Sequence, residues 1–132
     1  MSKAFTREDD TSETPVLPPL VSPLPPGARN LMTPEGAERL RAELARLLDE
    51  ERPKLLGASA TDADAKRELA KLDQRIRYVQ QSLATADVVA PSAQPGDQVR
   101  FGSTATVRDS KGRESVYRIV GVDEADFERN EV

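Results

Sequence analysis

Leu69, Leu72, Ile76, Val79 and Leu83 recur at steps of 3, 4, 3 and 4 residues. This is the heptad spacing that lines one side of a helix with apolar side chains and requires a second helix to cover them. An upstream segment offers that cover: Ala37, Leu40, Leu44 and Leu47 repeat at steps of 3, 4 and 3, and Leu48 and Leu55 widen the stripe. Thr33 is placed to cap this first helix, Pro34 sits where its missing N–H costs nothing, and Glu35 faces the positive end of the dipole. Pro53 is expected to end or kink it within a turn. The small residues Gly57 to Thr61 suit a turn, after which Asp62 or Asp64 can cap the second helix. Residues 31–87 therefore read as an antiparallel coiled-coil hairpin with arms of about 20 residues, roughly 30 Å each.

What surrounds the hairpin differs in composition. Residues 1–30 hold six of the ten prolines, at Pro15, Pro18, Pro19, Pro23, Pro25 and Pro26, after the acidic Glu8, Asp9, Asp10 and Glu13. Neither helix nor sheet propagates through such a run, so it is expected to be a disordered tail of polyproline character. Pro91, Pro95 and Gly96 mark a second linker, beyond which the apolar period changes to two. Val99 and Phe101 alternate, Gly102 suggests a bulge, Thr104 to Val107 continue the strand, and Asp109 to Gly112 is turn chemistry. Val116, Tyr117, Ile119, Val120 and Val122 form a return strand, with a short third strand expected at Val88 and Val89. Residues 88–132 thus predict a small antiparallel β unit, and the class is α+β. So few strands leave apolar faces and an open edge, which points to self-association through the sheet.

Absent residue types limit the chemistry. The 132 residues include no Cys and no His, which excludes disulfides, Cys or His zinc sites, thiol nucleophiles and His-based triads. Net charge is −4, so no global basic field attracts nucleic acid or anionic membrane. The N-terminus lacks an apolar core of signal-peptide length and no stretch has membrane-spanning length, which makes the cytoplasm the expected location.

The run Leu31 to Leu44 with Glu51-Arg52-Pro53 resembles the first helix of bacterial Gre transcript-cleavage factors. Leu72 to Val79 looks like their second helix. Val99 to Ser103 and Tyr117 to Glu124, ending in Val120-Gly121-Val122-Asp123-Glu124, look like the opening of their FKBP-like C-terminal domain. The resemblance implies a non-enzymatic partner of RNA polymerase whose coiled coil enters the secondary channel. There its acidic tip helps to hold a second Mg²⁺ of the polymerase active site, close to the nascent RNA.

Two departures qualify that implication. The family's tip carries an Asp followed by a Glu-Asn pair, whereas Lys54 to Ala65 contains neither the pair nor any carboxylate besides Asp62 and Asp64. The hairpin is also about a dozen residues shorter, roughly 9 Å of reach. In addition, the family's docking segment after the return strand has no counterpart up to Val132. Asp62 and Asp64 are the candidate tip acids, with ordinary helix capping as the competing account. Lys66, Arg67, Lys71, Arg75 and Arg77 are the candidate polymerase or nucleic-acid contacts. Because residues 33–86 hold ten Lys/Arg and ten Asp/Glu, helix-surface ion pairing competes with that role. The expectation is a polymerase-binding elongation regulator with weak or no cleavage activity, needing no cofactor of its own. The alternatives are a channel blocker and a nonfunctional, self-associating remnant.

Overall fold

A computed structural model describes residues 16–91 and 96–132. A short strand β1 (Asn30–Met32) leads into helix α1 (Pro34–Arg46). The rod continues through a π-helical turn (Leu47–Glu51) into α2 (Arg52–Ala58), turns at 59–61, and returns as α3 (Ala63–Thr85). Strand β2 (Ala86–Val88) follows, then the hairpin of β3 (Thr104–Arg108) and β4 (Glu114–Arg118), and a 3-10 turn at Phe127–Arg129.

Both helix starts obey local capping rules. Thr33 Oγ accepts from Gly36 N at 3.0 Å, and Asp62 Oδ1 accepts from Asp64 N at 2.9 Å. The expected seams meet face to face, burying Ala37, Leu40 and Leu47 on one arm and Leu69, Ile76 and Val79 on the other. The 23 residues of α3 extend about 35 Å.

Pro53 does not end the first arm. Proline has no N–H for the carbonyl four residues back and its ring crowds that oxygen. The chain widens just before it, so that Arg52 N–H reaches back five residues to Leu47 O. That extra residue shifts the phase of the arm. The side facing α3 becomes Arg52, which pairs with Asp73 at 2.8 Å, half-buried Leu55 and buried Ser59.

The base of the hairpin departs from expectation. Residues 86–88 do not join the C-terminal strands; β2 lies parallel to β1, with Asn30 opposite Ala86 and Met32 opposite Val88. This ties both helix ends together, and Asn30 Nδ2 adds a 3.0 Å bond to Ser82 O. The main core lies here, formed by Met32, Ala37, Leu40 and Val79 with Leu44, Tyr78, Leu83 and Ala86 against them.

Part of the expected tail, residues 1–15, lies outside the described residues, as do 92–95 of the linker. Residues 16–29 form neither helix nor strand and run beside α3.

The β unit is smaller than its alternation suggests. Val99 and Phe101 are not in a strand, because the chain turns at Arg100–Ser103, with Ser103 N bonded to Arg100 O. Gly102 occupies that turn at φ +83 and donates to Ile119 O. The β3–β4 turn follows its sequence: Asp109 Oδ1 accepts from Lys111 N and Arg113 N, and Gly112 takes φ +82. The backbone N–H of Arg113 in particular holds the Asp109 carboxyl below its ordinary pKa.

The last residues do more than sequence reasoning allowed. Residues 130–132 fold back beside 118–120 in parallel, with Arg118 N donating to Asn130 O, Val132 N to Arg118 O and Val120 N to Val132 O. Of β4 itself only Arg118, its last residue, gains a neighbour in this way. The hairpin still exposes Val107 and Val116.

Candidate functional site

Two regions carry the polar chemistry: the tip of the helical hairpin and its base. At the tip, Asp62 precedes α3 and its carboxylate is the helix cap; Asp64 lies in the first turn and pairs with Arg67. Both are exposed. The sequence-predicted acids are thus neighbours in space, each with a local partner.

The basic candidates do not form an uncommitted stripe. Lys71 pairs with Glu68 at 3.2 Å, and Arg75 crosses to the other arm, gripping Glu43 through both ends at 2.8 and 2.9 Å. Arg75 also lies over the Tyr78 ring, 5.5 Å from its centroid. The hydrogen bond to Glu43 raises the Arg75 pKa further. Arg77 donates to Leu17 O at 3.3 Å, and Lys66 at the tip is likewise engaged. Arg67, Lys71 and Gln74 follow one another at helical spacing on the outer side of α3.

The base holds the feature that sequence reasoning missed. Glu124 is buried and its carboxylate faces the start of α1. It accepts from Thr33 N at 2.9 Å, from Gly121 N at 2.8 Å and from Thr33 Oγ. A carboxylate from the β unit thereby serves the positive end of a helix in the other unit. Arg39 stands 3.9 Å from Glu124 and 3.6 Å from buried Glu131. Asp123 reaches α3 instead, accepting from Tyr78 Oη and Ser82 Oγ. Arg118 of β4 adds a 3.2 Å contact to Glu35. The backbone N–H of Glu35 itself, followed by Arg118, lowers the Glu35 pKa.

This clamp works only because two residues have no side chain. A Cβ on Gly36 would run into the Glu124 carboxylate, and one on Gly121 would run into the Leu31 carbonyl. The available signal was the pair of carboxylates after Val120-Gly121, acidic residues ending an apolar strand beside a glycine.

Burial, and secondarily the bond to Asp123, push the Tyr78 phenol above its usual pKa. The unfolded chain then loses this proton first as pH rises, so the stabilisation is complete below about pH 10 and is lost as pH climbs through the folded value. Denaturant unfolding between pH 9 and 11.5 should show a falling stability that Tyr78→Phe makes shallower. Identical slopes in both proteins would remove Tyr78 as the cause.

Among the described residues, no cluster of three acidic or other metal-ligating side chains converges, and no helix is long and apolar enough to cross a membrane. An open cleft of about 530 Å³ lies between α1, α3 and residues 123–128.

Comparison with known proteins adds the lineage. Residues 94–132 match the family described as transcription elongation factor, GreA/GreB, C-term. The transcription elongation factor GreB of Pseudomonas aeruginosa PAO1 is 36% identical over 114 residues, covering 77% of this chain and 68% of that protein. GreB of Neisseria meningitidis serogroup A is 34% identical over 117 residues, covering 79% and 72%. GreA of Hyphomonas neptunium is 36% identical over 114 residues, covering 76% and 73%. The crystal structure of the GreA factor homolog Gfh1 of Thermus thermophilus aligns at a TM-score of 0.40 with 24% identity, over 80% of this chain and 76% of that one. Given relatives about one third identical across more than two thirds of their own length, the chain belongs to the GreA/GreB family of transcription elongation factors.

Proposed function

We propose that this protein binds RNA polymerase, inserts its helical hairpin into the secondary channel and regulates elongation with weak or no stimulation of transcript cleavage. Its relatives are named transcription elongation factors, and the long paired arms supply a rod suited to entering a channel. The enzyme in this reading is the polymerase, and the chain is an accessory to it.

The observation that carries the weak-cleavage part is the state of the tip. A carboxylate that recruits Mg²⁺ to another active site must present free oxygens. Asp62 instead spends an oxygen on the Asp64 N–H, and Asp64 is paired with Arg67. Each keeps one oxygen free, but no third acidic side chain converges on them among the described residues, which makes the tip a poor holder of Mg²⁺, and no step of this proposal passes through a metal ion. Occupation of the channel, rather than donation of a ligand, is the activity left to such a tip.

The test uses a stalled, backtracked elongation complex and compares RNA cleavage with that stimulated by the Pseudomonas aeruginosa relative. Cleavage should be far lower with this protein and unaffected by Asp62→Ala with Asp64→Ala. Excess protein should inhibit the relative's cleavage by competition. Cleavage equal to the relative's and abolished by the double substitution would make the aspartates metal ligands and overturn the proposal. Asp62→Ala alone should cost about 1 kcal/mol of stability through its lost cap.

A further inference from the structure

Residues 17–24 occupy a face of α3 in a way that nothing in the fold requires. The Leu17 carbonyl accepts from Arg77 at 3.3 Å and the Pro18 carbonyl from Gln74. Leu17 and Leu24 are half-buried, whereas Val16 and Val21 stand 86% and 89% exposed. The seat is imperfect: about 360 Å³ remains between Pro19, Leu20 and Leu24 on one side and Tyr78, Gln81 and Thr85 on the other.

The chemistry suits a cover that comes and goes. Pro18, Pro19 and Pro23 have no N–H, so the segment offers mainly carbonyls and matches a surface rich in donors. Arg77 and Gln74 are such donors. Proline also restricts the free segment, which reduces the entropy lost on seating. The attachment point is firm, because Asn30 enters the β1–β2 pair and bonds to Ser82. Between anchor and cover lies a turn, with Ala28 N bonded to Pro25 O and Gly27 at φ +79. A short tether of this kind keeps the segment at high effective concentration over α3 even when it has lifted off.

The covered part is the base-side half of the outer surface of α3, whose tip-side half carries Arg67 and Lys71 paired only to acids one turn away on the same helix. We propose that residues 17–24 are a displaceable strap that holds this face in cis and competes with the polymerase for it. The competition rests on the polymerase binding proposed above; the seating of the strap does not.

The experiment uses the full chain. Because it has no cysteine, Val21→Cys gives a single site for a spin label. The label should broaden the amide signals of Gln74, Tyr78 and Gln81 while sparing Arg41 and Arg46 on the other arm. Leu17→Ser with Leu24→Ser, which leaves every α3 residue intact, should restore those signals severalfold. Without label, that double variant should bind RNA polymerase core enzyme severalfold more tightly than the parent, with an unchanged unfolding midpoint. Absence of broadening in the parent would overturn the strap. Broadening with equal affinities would overturn the competition. Failure of both proteins to bind polymerase would overturn the proposed function and the competition with it, while the broadening would still report whether the strap is seated.

Discussion

Glu124→Ala is expected to remove about 3 kcal/mol or more of folding stability. The substitution strands the Thr33 and Gly121 N–H groups and the Thr33 hydroxyl, which the carboxylate satisfies in a buried site. Each buried donor left without a partner costs on the order of 1–3 kcal/mol. Against a total of about 5–15 kcal/mol for a domain, the loss is large. Glu124→Gln keeps one acceptor oxygen and should fall between. Urea unfolding gives the magnitude, and hydrogen exchange gives the location. Amides in 102–132 should lose protection more than those in the middle of α3, because the clamp joins the β unit to the hairpin. A loss below about 1 kcal/mol would mean that water replaces the carboxylate without penalty, and that the clamp is incidental.

The second large effect is a change of sign. Alanine is favoured over glycine within a helix by up to about 1 kcal/mol, so Gly36→Ala in the first turn of α1 would ordinarily stabilise. Here the added methyl meets Glu124, and overpacking of this kind costs about 1–3 kcal/mol. Gly36→Ala should therefore destabilise the parent protein. In a Glu124→Ala background the obstruction is gone, and the same substitution should become neutral or stabilising. The coupling between the two positions is the diagnostic, since residues that do not touch have additive effects. Additive losses would show that Gly36 is needed for a reason other than room for the carboxylate.

The parts of this fold that could be read in the sequence are those governed by near neighbours. Leu69 to Leu83 declared a helix and its partner by spacing alone, and Thr33-Pro34-Glu35 marked where the first arm begins. Asp109 to Gly112 closed a hairpin through bonds that span only four residues. What escaped depends on distant partners. Val88 and Val89 looked like part of the later sheet because strand propensity does not specify which edge a strand joins. Glu124 bonds to Thr33 across 91 positions, and no local pattern announces such a contact. Asp62 was legible as a cap, whereas the pairing of Arg75 with Glu43 and of Arg77 with the strap required both chain directions to be known. The π-helical turn was half visible: Pro53 demanded a distortion, but whether the helix stops or widens depends on what α3 can still bury beyond it.

That widened turn separates two properties that a regular coiled coil ties together. In an uninterrupted pair of helices the number of residues in an arm fixes both how far the end projects and which way it faces, since each residue adds about 1.5 Å and about 100°. One residue absorbed between Leu47 and Glu51 changes which later side chains face α3, with almost no change in the length or rotation of the arm. Arms of this type can therefore be shortened or lengthened by numbers that do not match whole turns and still aim their ends consistently. The number of residues in an arm thereby ceases to dictate where its end points.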